Sequence, residues 1–303
     1  MAERRGVRSV VLDYLAISKP RVFLLLVVVA WAAMFLAAEG TPDGAAFAEV
    51  TLAGFASTAS AGAFNSVIER KRDGLMGRTA NRPIPAGRIS VGAGLAYASV
   101  MAAASFAALA VPGHLLAAML TLGAIAYYVV VYTVLLKPTT PQSIVIGGLA
   151  GSFPAVIGWA AVTHSLAWPA AWPAFLLALL VFVWTPAHFW ALALLYKDDY
   201  AAAGVPMLPN VRGEGAALRA ILAYSGLTLA SSLVLVVFDA AGWLYLAVAA
   251  VLGLVLVGRA ASLLRSPSPP RYRSFFFFSI QYLGLLLLAL MADLTLGLAP
   301  LQG

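Results

Sequence analysis

The sequence predicts an all-α polytopic membrane protein, a single domain over residues 1–303 with nine transmembrane helices. Hydrophobic residues make up 62% of the chain and charged residues only 10%, whereas soluble domains carry about 25% charged residues. Nine apolar runs recur along the chain, each close to the roughly 20 residues that a bilayer requires. The positive charges fall between alternate pairs of these runs, as expected for loops on one side of a membrane.

The nine predicted spans are separated by short segments rich in Gly, Pro and Asp, which interrupt helices. They lie near residues 22–38, 45–68, 91–111, 115–136, 143–163, 173–196, 216–238, 243–264 and 275–296. The polar, basic N-terminus lacks the small-residue cleavage pattern of a signal peptide. The first apolar run is therefore expected to remain as a helix.

The positive charges predict the orientation. All 19 Lys and Arg residues fall in the N-terminal flank, in the loops after the second, fourth, sixth and eighth spans, or at the edges of those loops. Because cytoplasmic loops are enriched in Lys and Arg, the N-terminus is predicted to be cytoplasmic and the C-terminus to lie outside. The net charge of +7 then follows from topology, and no nucleic-acid partner is expected.

Composition excludes several kinds of site. The chain has no cysteine, which excludes disulfides, thiolate metal sites and a cysteine nucleophile. The three histidines, His114, His164 and His188, are widely spaced, so a histidine-rich metal site is not expected. His114 and His164 fall at outer loops and receive no role.

Residues 65–88 form a polar segment at the inner end of the second span. Asn65, Glu69 and Asp73 recur every fourth residue, so on a helix they share one face. Oxygen ligands on one face suit Mg²⁺, and the surrounding cations suit phosphate. Those cations are Arg70, Lys71, Arg72, Arg78, Arg82 and Arg88. The segment predicts a metal–diphosphate site, the alternative being a loop whose acids merely offset its arginines.

A second carboxylate cluster, Lys197-Asp198-Asp199-Tyr200, follows the sixth span. By itself it is typical of a helix end at the membrane interface. Both clusters, however, follow an apolar span and precede a loop marked by Gly and Pro, and they lie four spans apart. This weak internal repeat favours two similar units whose carboxylates face one cavity.

Two aromatic groups are open to two interpretations each. Tyr127, Tyr128 and Tyr132, near the inner end of the fourth span, are either interface anchors or rings that face a developing carbocation. His188 lies in the run Trp184–Trp190, whose proline predicts a kink that lines a cavity. It is either a hydrogen-bonded packing residue or a group that touches a large ring or its iron.

At these residues the chain resembles the UbiA superfamily of intramembrane prenyltransferases, over nearly its whole length. The carboxylate motifs are shared across that superfamily, whereas the runs His188-Phe-Trp190 and Ala203–Pro209 point to its haem-modifying branch. The other matching segments are Lys19-Pro-Arg21, Met76 to Pro83, Tyr132 to Lys137, Ile144 to Gly148 and Gly158-Trp159. Two positions depart: Glu69 stands where the family usually has Asp, and Ala187 stands where it has a second proline. Glu still binds Mg²⁺, with a longer reach.

The resemblance implies a nine-helix UbiA-type bundle and a reaction. The farnesyl group of farnesyl diphosphate adds to a vinyl group of haem B and a hydroxyl group is gained, giving haem O and diphosphate. Mg²⁺ is the implied cofactor. The implied partners are farnesyl diphosphate, haem B, the lipid bilayer and a downstream haem A synthase, and the implied location is the bacterial inner membrane.

The resemblance also implies residue roles. The metal ligands are Asn65, Glu69 and Asp73 for one Mg²⁺, and Asp198 and Asp199 for a second. The diphosphate is held by Arg78, Arg82, Lys137, Lys197 and Lys71. Tyr132 shields the carbocation and His188 contacts haem, with Tyr200 also at the substrates.

Other functions are weighed against this one. A UbiA-type enzyme could act instead on a quinone precursor or a chlorophyll-like ring, but the run around His188 argues against it. An ion-coupled transporter places its key charges near the membrane midplane, whereas these acids lie at the inner ends of spans. A non-catalytic assembly protein would not need two matched carboxylate clusters.

Overall fold

The computed structural model describes residues 6–297, a part of the chain that contains helices and turns but no β-strand. The α-helices are α1 (Val7–Ile17), α2 (Pro20–Ala37), α3 (Gly44–Ile68), α4 (Arg70–Asp73), α5 (Val91–Ala110), α6 (Leu115–Ala126), α7 (Ser143–Gly147), α8 (Phe153–Thr163), α9 (Trp172–Leu195), α10 (Lys197–Ala202), α11 (Leu208–Arg212), α12 (Glu214–Val237), α13 (Trp243–Arg265) and α14 (Pro269–Thr295). A π-helix, Tyr127–Leu136, continues α6, and a 3₁₀-helix, Gly148–Ser152, joins α7 to α8. The all-α prediction is confirmed; Arg4 and Arg5 of the basic flank lie outside the described residues.

The predicted spans coincide with long helical segments. Within residues 6–297, eight segments are long and apolar enough to cross a membrane, and they match every predicted span except 45–68. α3 occupies that position, and its 25 residues extend over about 37 Å, more than the roughly 30 Å of a bilayer core. Sixteen of these residues are Ala, Gly, Ser or Thr, which lowers the hydropathy. The predicted count of nine therefore exceeds by one the count that composition supports.

The long segments form a closed ring in chain order. α2 packs on α3, α3 on α5, α5 on α6, and so on through α8, α9, α12 and α13 to α14, which packs on α2. α3 is thus a full member of the ring, and about half of it is buried. Its small residues allow the close helix contacts that membrane bundles use. We therefore expect α3 to cross the membrane with the other eight.

Three features of the fold do not follow from the hydropathy pattern. α1 is a separate helix before the first span, where the sequence indicated only a basic flank. It is held against the bundle by Asp13, which pairs with Arg88 at 3.0 Å, and by Tyr14, whose ring lies 5.0 Å from that of Tyr97. The fourth and fifth predicted spans contain the π- and 3₁₀-helices. α9 continues through Pro186 from Trp172 to Leu195, and the kink stays a prediction.

α2 and α8 meet at Gly158, a residue of one of the family-like motifs. A Cβ atom at Gly158 would lie 2.1 Å from the carbonyl oxygen of Ala30 and 3.1 Å from its Cα. Any larger residue must therefore push the two helices apart, because the contact is with backbone rather than with a movable side chain.

Gly158→Ala is expected to destabilise the protein by about 1–3 kcal/mol, the usual effect of overpacking a close contact. Gly226→Ala is the matched control, since no atom lies within 4 Å of a Cβ at that helical position. It should be neutral or slightly stabilising. Thermal unfolding in detergent micelles measures both, and equal midpoints would contradict the proposed role of Gly158.

The crossing of α3 is tested with single cysteines, because the chain has none of its own. Thr41→Cys before α3 and Ala86→Cys after it are both exposed positions. A membrane-impermeant maleimide should label them from opposite sides of the membrane, in intact cells for one and only after permeabilisation for the other. Labelling of both from the same side would show that α3 does not cross.

Candidate active site

Three polar side chains are buried where α3 ends. Asn65 lies in the last turn of α3, Glu69 follows that helix, and Asp73 ends α4. Their exposed fractions are only 2%, 3% and 4%. The Glu69 N–H donates to the Asn65 carbonyl and the Asp73 N–H to the Glu69 carbonyl, so helical hydrogen bonding continues across the junction. The three residues therefore lie on successive turns, as their spacing predicts.

Glu69 is the centre of this cluster. Lys137 Nζ lies 2.5 Å from Glu69 Oε2, and Asn65 Nδ2 donates to the same oxygen at 2.8 Å. Asn65 Nδ2 also reaches Thr133 Oγ1 at 3.2 Å. The second carboxylate oxygen, Glu69 Oε1, is buried and has no hydrogen-bond partner among the described residues. Because an unsatisfied buried acceptor is costly, this oxygen is suited to receive a ligand.

Asp73 is held by the loop that follows it. Arg82 Nη1 donates to Asp73 Oδ2 at 2.9 Å, and Thr79 Oγ1 donates to the Asp73 carbonyl at 2.8 Å. The loop thus folds back over the end of α4 and brings the predicted cation Arg82 to the carboxylates. A guanidinium paired with a carboxylate in this way can also bind phosphate oxygens.

Lys19 is a site residue that the sequence did not single out. It has a left-handed backbone with φ of 52°, and a Cβ at Gly62 would lie only 2.6 Å from the carbonyl of neighbouring Ile17. This close approach places Lys19 Nζ 2.9 Å from Asn65 Oδ1 and 3.3 Å from the Tyr128 hydroxyl. Burial lowers the pKa of the Lys19 ammonium to about 8. In the sequence Lys19 was marked only by its position just before the first span and by the family-like segment Lys19-Pro-Arg21.

The π-helix aligns the residues that face this cluster. The Thr133 hydroxyl donates to the Tyr128 carbonyl, and the Lys137 N–H donates to the Tyr132 carbonyl, both five residues back. In an α-helix the nine-residue separation between Tyr128 and Lys137 corresponds to about two and a half turns, which would put their side chains on opposite faces. In a π-helix the same separation corresponds to about two turns, so both side chains share one face.

The second carboxylate cluster reaches the first through Asp199. Its carboxylate accepts the backbone N–H of Gly77 at 3.2 Å and that of Arg78 at 3.4 Å. The Arg78 guanidinium lies over the Tyr196 ring, 5.0 Å from the ring centroid. The loop after α4 is therefore the link between two carboxylate groups that are more than 120 residues apart in sequence.

Three of the predicted site residues lie elsewhere. Asp198 is exposed and makes no described contact with the first cluster. Lys197 is 49% exposed and pairs with Glu214 at 3.5 Å. Lys71 lines a separate cleft on the side of the bundle. Adjacent residues in a helix point in different directions, so a run such as 197–200 does not deliver all of its side chains to one site.

Two predicted tyrosines are buried beside the cluster. Tyr132 is 8% exposed, its ring lies 5.3 Å from that of Tyr128, and Lys137 Nζ lies 5.9 Å from the Tyr132 ring centroid. Tyr200 is 3% exposed, and burial raises the pKa of its hydroxyl. Tyr128 and Tyr132 thus form an aromatic wall next to the cations.

His188 lies in a stack of three rings. Its imidazole is 4.5 Å from the Trp184 ring and 4.5 Å from the Phe276 ring, with interplanar angles of 15° and 23°. His188 Nδ1 is 2.8 Å from Ser279 Oγ, and Trp184 Nε1 donates to the Ser279 carbonyl. The histidine is half-buried. The bond from Nδ1 to Ser279 of α14 fixes the orientation of the ring, and Nε2 is the ring nitrogen that this bond leaves available.

The donors of the cluster fit a hard dication. Asn65, Glu69, Asp73 and Asp199 offer amide and carboxylate oxygens, the ligands that Mg²⁺ prefers. Among residues 6–297, no three His, Asp or Glu side chains lie close enough to hold a metal by themselves. The free, buried Glu69 Oε1 nevertheless fits an ion whose other ligands are water and the oxygens of a bound diphosphate.

Comparison with known proteins relates the chain to prenyltransferases. The model of the UbiA prenyltransferase family matches residues 25–281. The chain is 44% identical to a protoheme IX farnesyltransferase of Gloeobacter violaceus, over 93% of this chain and 91% of that protein. It is 45% identical to the protein of that name from Synechococcus elongatus, over 96% and 91%, and 43% identical to that from Symbiobacterium thermophilum, over 95% of each.

Solved structures share the fold at low sequence identity. A digeranylgeranylglyceryl phosphate synthase matches with a TM-score of 0.75 at 15% identity, over 94% of this chain and 98% of that one. A UbiA homologue from Aeropyrum pernix matches at 0.74 and 18%, over 89% and 96%. A homologue from Archaeoglobus fulgidus, solved with GPP and Mg²⁺, matches at 0.63 and 17%, over 92% and 99%.

Lys137→Gln is expected to lower the free energy of unfolding by about 3 kcal/mol, because it leaves the buried Glu69 carboxylate without its cation. Lys197→Gln makes the same change in an exposed pair and should cost less than about 1 kcal/mol. Thermal unfolding of both variants in detergent micelles checks the difference. The double variant Glu69→Gln/Lys137→Gln should recover stability relative to Lys137→Gln, and failure to do so would contradict a coupled pair.

Proposed function

Since the chain belongs to the UbiA prenyltransferase family, we propose that it transfers the farnesyl group of farnesyl diphosphate to a vinyl group of haem B. The products are haem O and diphosphate. The observation that carries this function is the identity of 41–45% with proteins named protoheme IX farnesyltransferase, over most of both chains. The bond between the farnesyl carbon and the diphosphate oxygen breaks, a carbon–carbon bond forms at the vinyl group, and water supplies the hydroxyl and releases a proton.

The first task of the site is to bind the diphosphate. Arg78, Arg82 and Lys137 hold its oxygens, and the buried ammonium of Lys19, which contacts Asn65, adds a fourth cation. In the structure, Arg82 and Lys137 contact carboxylates, Lys19 contacts an amide oxygen and Arg78 contacts an aromatic ring. When diphosphate binds, its oxygens replace these partners. Diphosphate leaves an allylic carbon more readily when fixed charges neutralise it.

Asn65, Glu69, Asp73 and Asp199 would hold Mg²⁺ against the same diphosphate. Bound there, the ion would act as a Lewis acid on the phosphate oxygens. That a homologue from Archaeoglobus fulgidus is solved with GPP and Mg²⁺ supports a metal–diphosphate complex, without identifying the ligands in this chain. Glu69 takes part through its unpaired oxygen, and its extra methylene relative to Asp supplies reach. Asp198 is less suited, because its side chain is exposed.

Tyr128 and Tyr132 face the developing carbocation. Aromatic faces attract cations, and a wall of two rings also keeps water from the reactive carbon. Both tyrosines belong to the π-helix, and each ring lies near a cation: Lys19 Nζ is 5.6 Å from the Tyr128 ring centroid, and Lys137 Nζ is 5.9 Å from that of Tyr132. Tyr200, buried and raised in pKa, contributes a neutral hydroxyl at the same end.

His188 is the group we assign to haem. Its flat stack with Trp184 and Phe276 offers an aromatic surface of the kind on which a porphyrin packs. Ser279 binds Nδ1, which leaves Nε2 as the nitrogen for the iron or for a porphyrin substituent. Ala187 precedes it on α9, where the helix is continuous.

We place the protein in the bacterial inner membrane, with the N-terminus cytoplasmic and the C-terminus outside. The loops that carry Lys and Arg, including the site at the end of α3, then face the cytoplasm. The cysteine pair at positions 41 and 86 tests this orientation, since Ala86→Cys should be the protected position in intact cells. Haem O would pass from here to a haem A synthase.

The reaction is tested by incubating the purified protein with haem B, labelled farnesyl diphosphate and Mg²⁺, and identifying the porphyrin product by mass. Asp73→Asn and Asp199→Asn are each expected to lower turnover by roughly a hundredfold or more, as removal of one electrostatic contact to a transition state typically does. Asp239→Asn is the control, because Asp239 lies between α12 and α13 and Asn tolerates its left-handed backbone.

Two outcomes would count against the proposal. Undiminished turnover of folded Asp73→Asn and Asp199→Asn proteins would overturn the metal assignment. Farnesyl transfer to an aromatic acid or a chlorophyll-like ring, without transfer to haem B, would move the function to a related prenyltransferase. Ion-coupled transport is disfavoured already, because the carboxylates lie at helix ends rather than at the midplane.

A further inference from the structure

A lateral cleft lies next to the candidate active site but is separate from it. It has a volume of about 340 Å³ and lies between the end of α3, α4 and the end of the π-helix. Its lining residues are Ile68, Lys71, Arg72, Thr133, Val134 and Pro138. This volume is within the range of about 300–1,000 Å³ that small-molecule sites occupy.

The cleft contains two cations, Lys71 and Arg72, that have no acidic partner among the described residues. The ion pairs of residues 6–297 use Arg82, Arg88, Lys137 and Lys197 but neither Lys71 nor Arg72. Neighbouring Arg70 is also occupied, since it donates to the Val67 carbonyl. Two adjacent cations in a concave surface repel each other, and an anion bound between them offsets this repulsion.

The rest of the lining is apolar and faces outward. Ile68 is 37% exposed and Val134 is 45% exposed, both on helices of the bundle wall. A ligand that satisfies every part of the cleft therefore has an anionic head and an aliphatic body. We propose that the cleft binds an anionic phospholipid, with its phosphate at Lys71 and Arg72 and its acyl chains along Ile68 and Val134.

The position of the cleft favours a lipid over a soluble anion. It opens at the ends of α3 and the π-helix, on the side to which the charge pattern of the sequence assigns the cytoplasm, and the cytoplasmic leaflet is the anionic one. A free phosphate or diphosphate would leave Ile68 and Val134 uncovered. Basic pockets between membrane helices on this side are a recognised form of headgroup site.

The cleft also has a wall in common with the catalytic cluster. Thr133 lies at its base and is fully buried, and the Thr133 hydroxyl is 3.2 Å from Asn65 Nδ2. A bound headgroup is therefore only one residue away from Asn65. The existence of the lipid site does not depend on which prenyl acceptor the protein uses.

The test is a titration of the purified, full-length protein in detergent with dioleoyl phosphatidylglycerol, followed by native mass spectrometry. Lys71→Gln/Arg72→Gln should need about thirty times more lipid for half occupancy, because each cation near an anionic lipid gives roughly a fivefold gain. Arg265→Gln/Arg273→Gln is the matched control, with the same loss of charge at exposed positions. Val134→Asn, which keeps both cations, should also weaken binding, by about fivefold.

Dioleoyl phosphatidylcholine and inorganic diphosphate are the comparison ligands. Phosphatidylcholine should bind wild-type and variant proteins alike, and diphosphate should not displace phosphatidylglycerol. Equal phosphatidylglycerol binding by Lys71→Gln/Arg72→Gln and the control would overturn the proposal. Displacement by diphosphate, together with full lipid binding by Val134→Asn, would overturn it in favour of a small soluble anion.

Discussion

A buried cluster of opposite charges at the end of α3 is the interaction on which the arrangement of this molecule depends. Isolated charges are too costly to bury, so each carboxylate requires a cation from elsewhere in the chain. Glu69 takes Lys137 from beyond the π-helix, Asp73 takes Arg82 from the following loop, and Asn65 takes Lys19 from before the first span. One polar cluster therefore holds four separate segments together at one end of a ring of helices.

The site is built from departures from regular helix, whereas the ring itself is regular. Lys19, just before α2, has a left-handed backbone. The ten-residue π-helix places Lys137 on the same face as Tyr128, and α3 ends immediately before Glu69. Irregular backbone is stable at membrane depth only where protein or a cavity satisfies its polar groups. Its concentration around one cluster is consistent with the observation that π-helices recur at functional sites.

The sequence predicted the helical bundle and the helical spacing of the first polar cluster, for a physical reason. Hydropathy and helix-breaking residues place the ends of spans, and the spacing of Asn65, Glu69 and Asp73 places them on one helical face. The internal repeat predicted that the two carboxylate clusters face one cavity, but not that Asp199 accepts hydrogen bonds from the backbone of the loop after α4. The role of Lys19 in the site was not predicted, because it depends on contacts between distant segments. The shared face of Tyr128 and Lys137 was not predicted either, because a π-helix has no hydropathy signature. Asp198 and Lys197 were assigned to the site because they are adjacent to Asp199 in sequence. Side chains in one helical turn, however, point in different directions.

The carboxylates and cations of the cluster neutralise each other, and this affects which ligands can bind. A lone metal ion that took a carboxylate from Lys137 or Arg82 would leave that cation unpaired, and a lone diphosphate that drew the cations away would leave the carboxylates unpaired. Either exchange carries the cost of an uncompensated buried charge. A metal–diphosphate pair offers new partners to both sets at once. We therefore expect the cluster to bind the metal ion and the diphosphate together, and to bind either one alone more weakly.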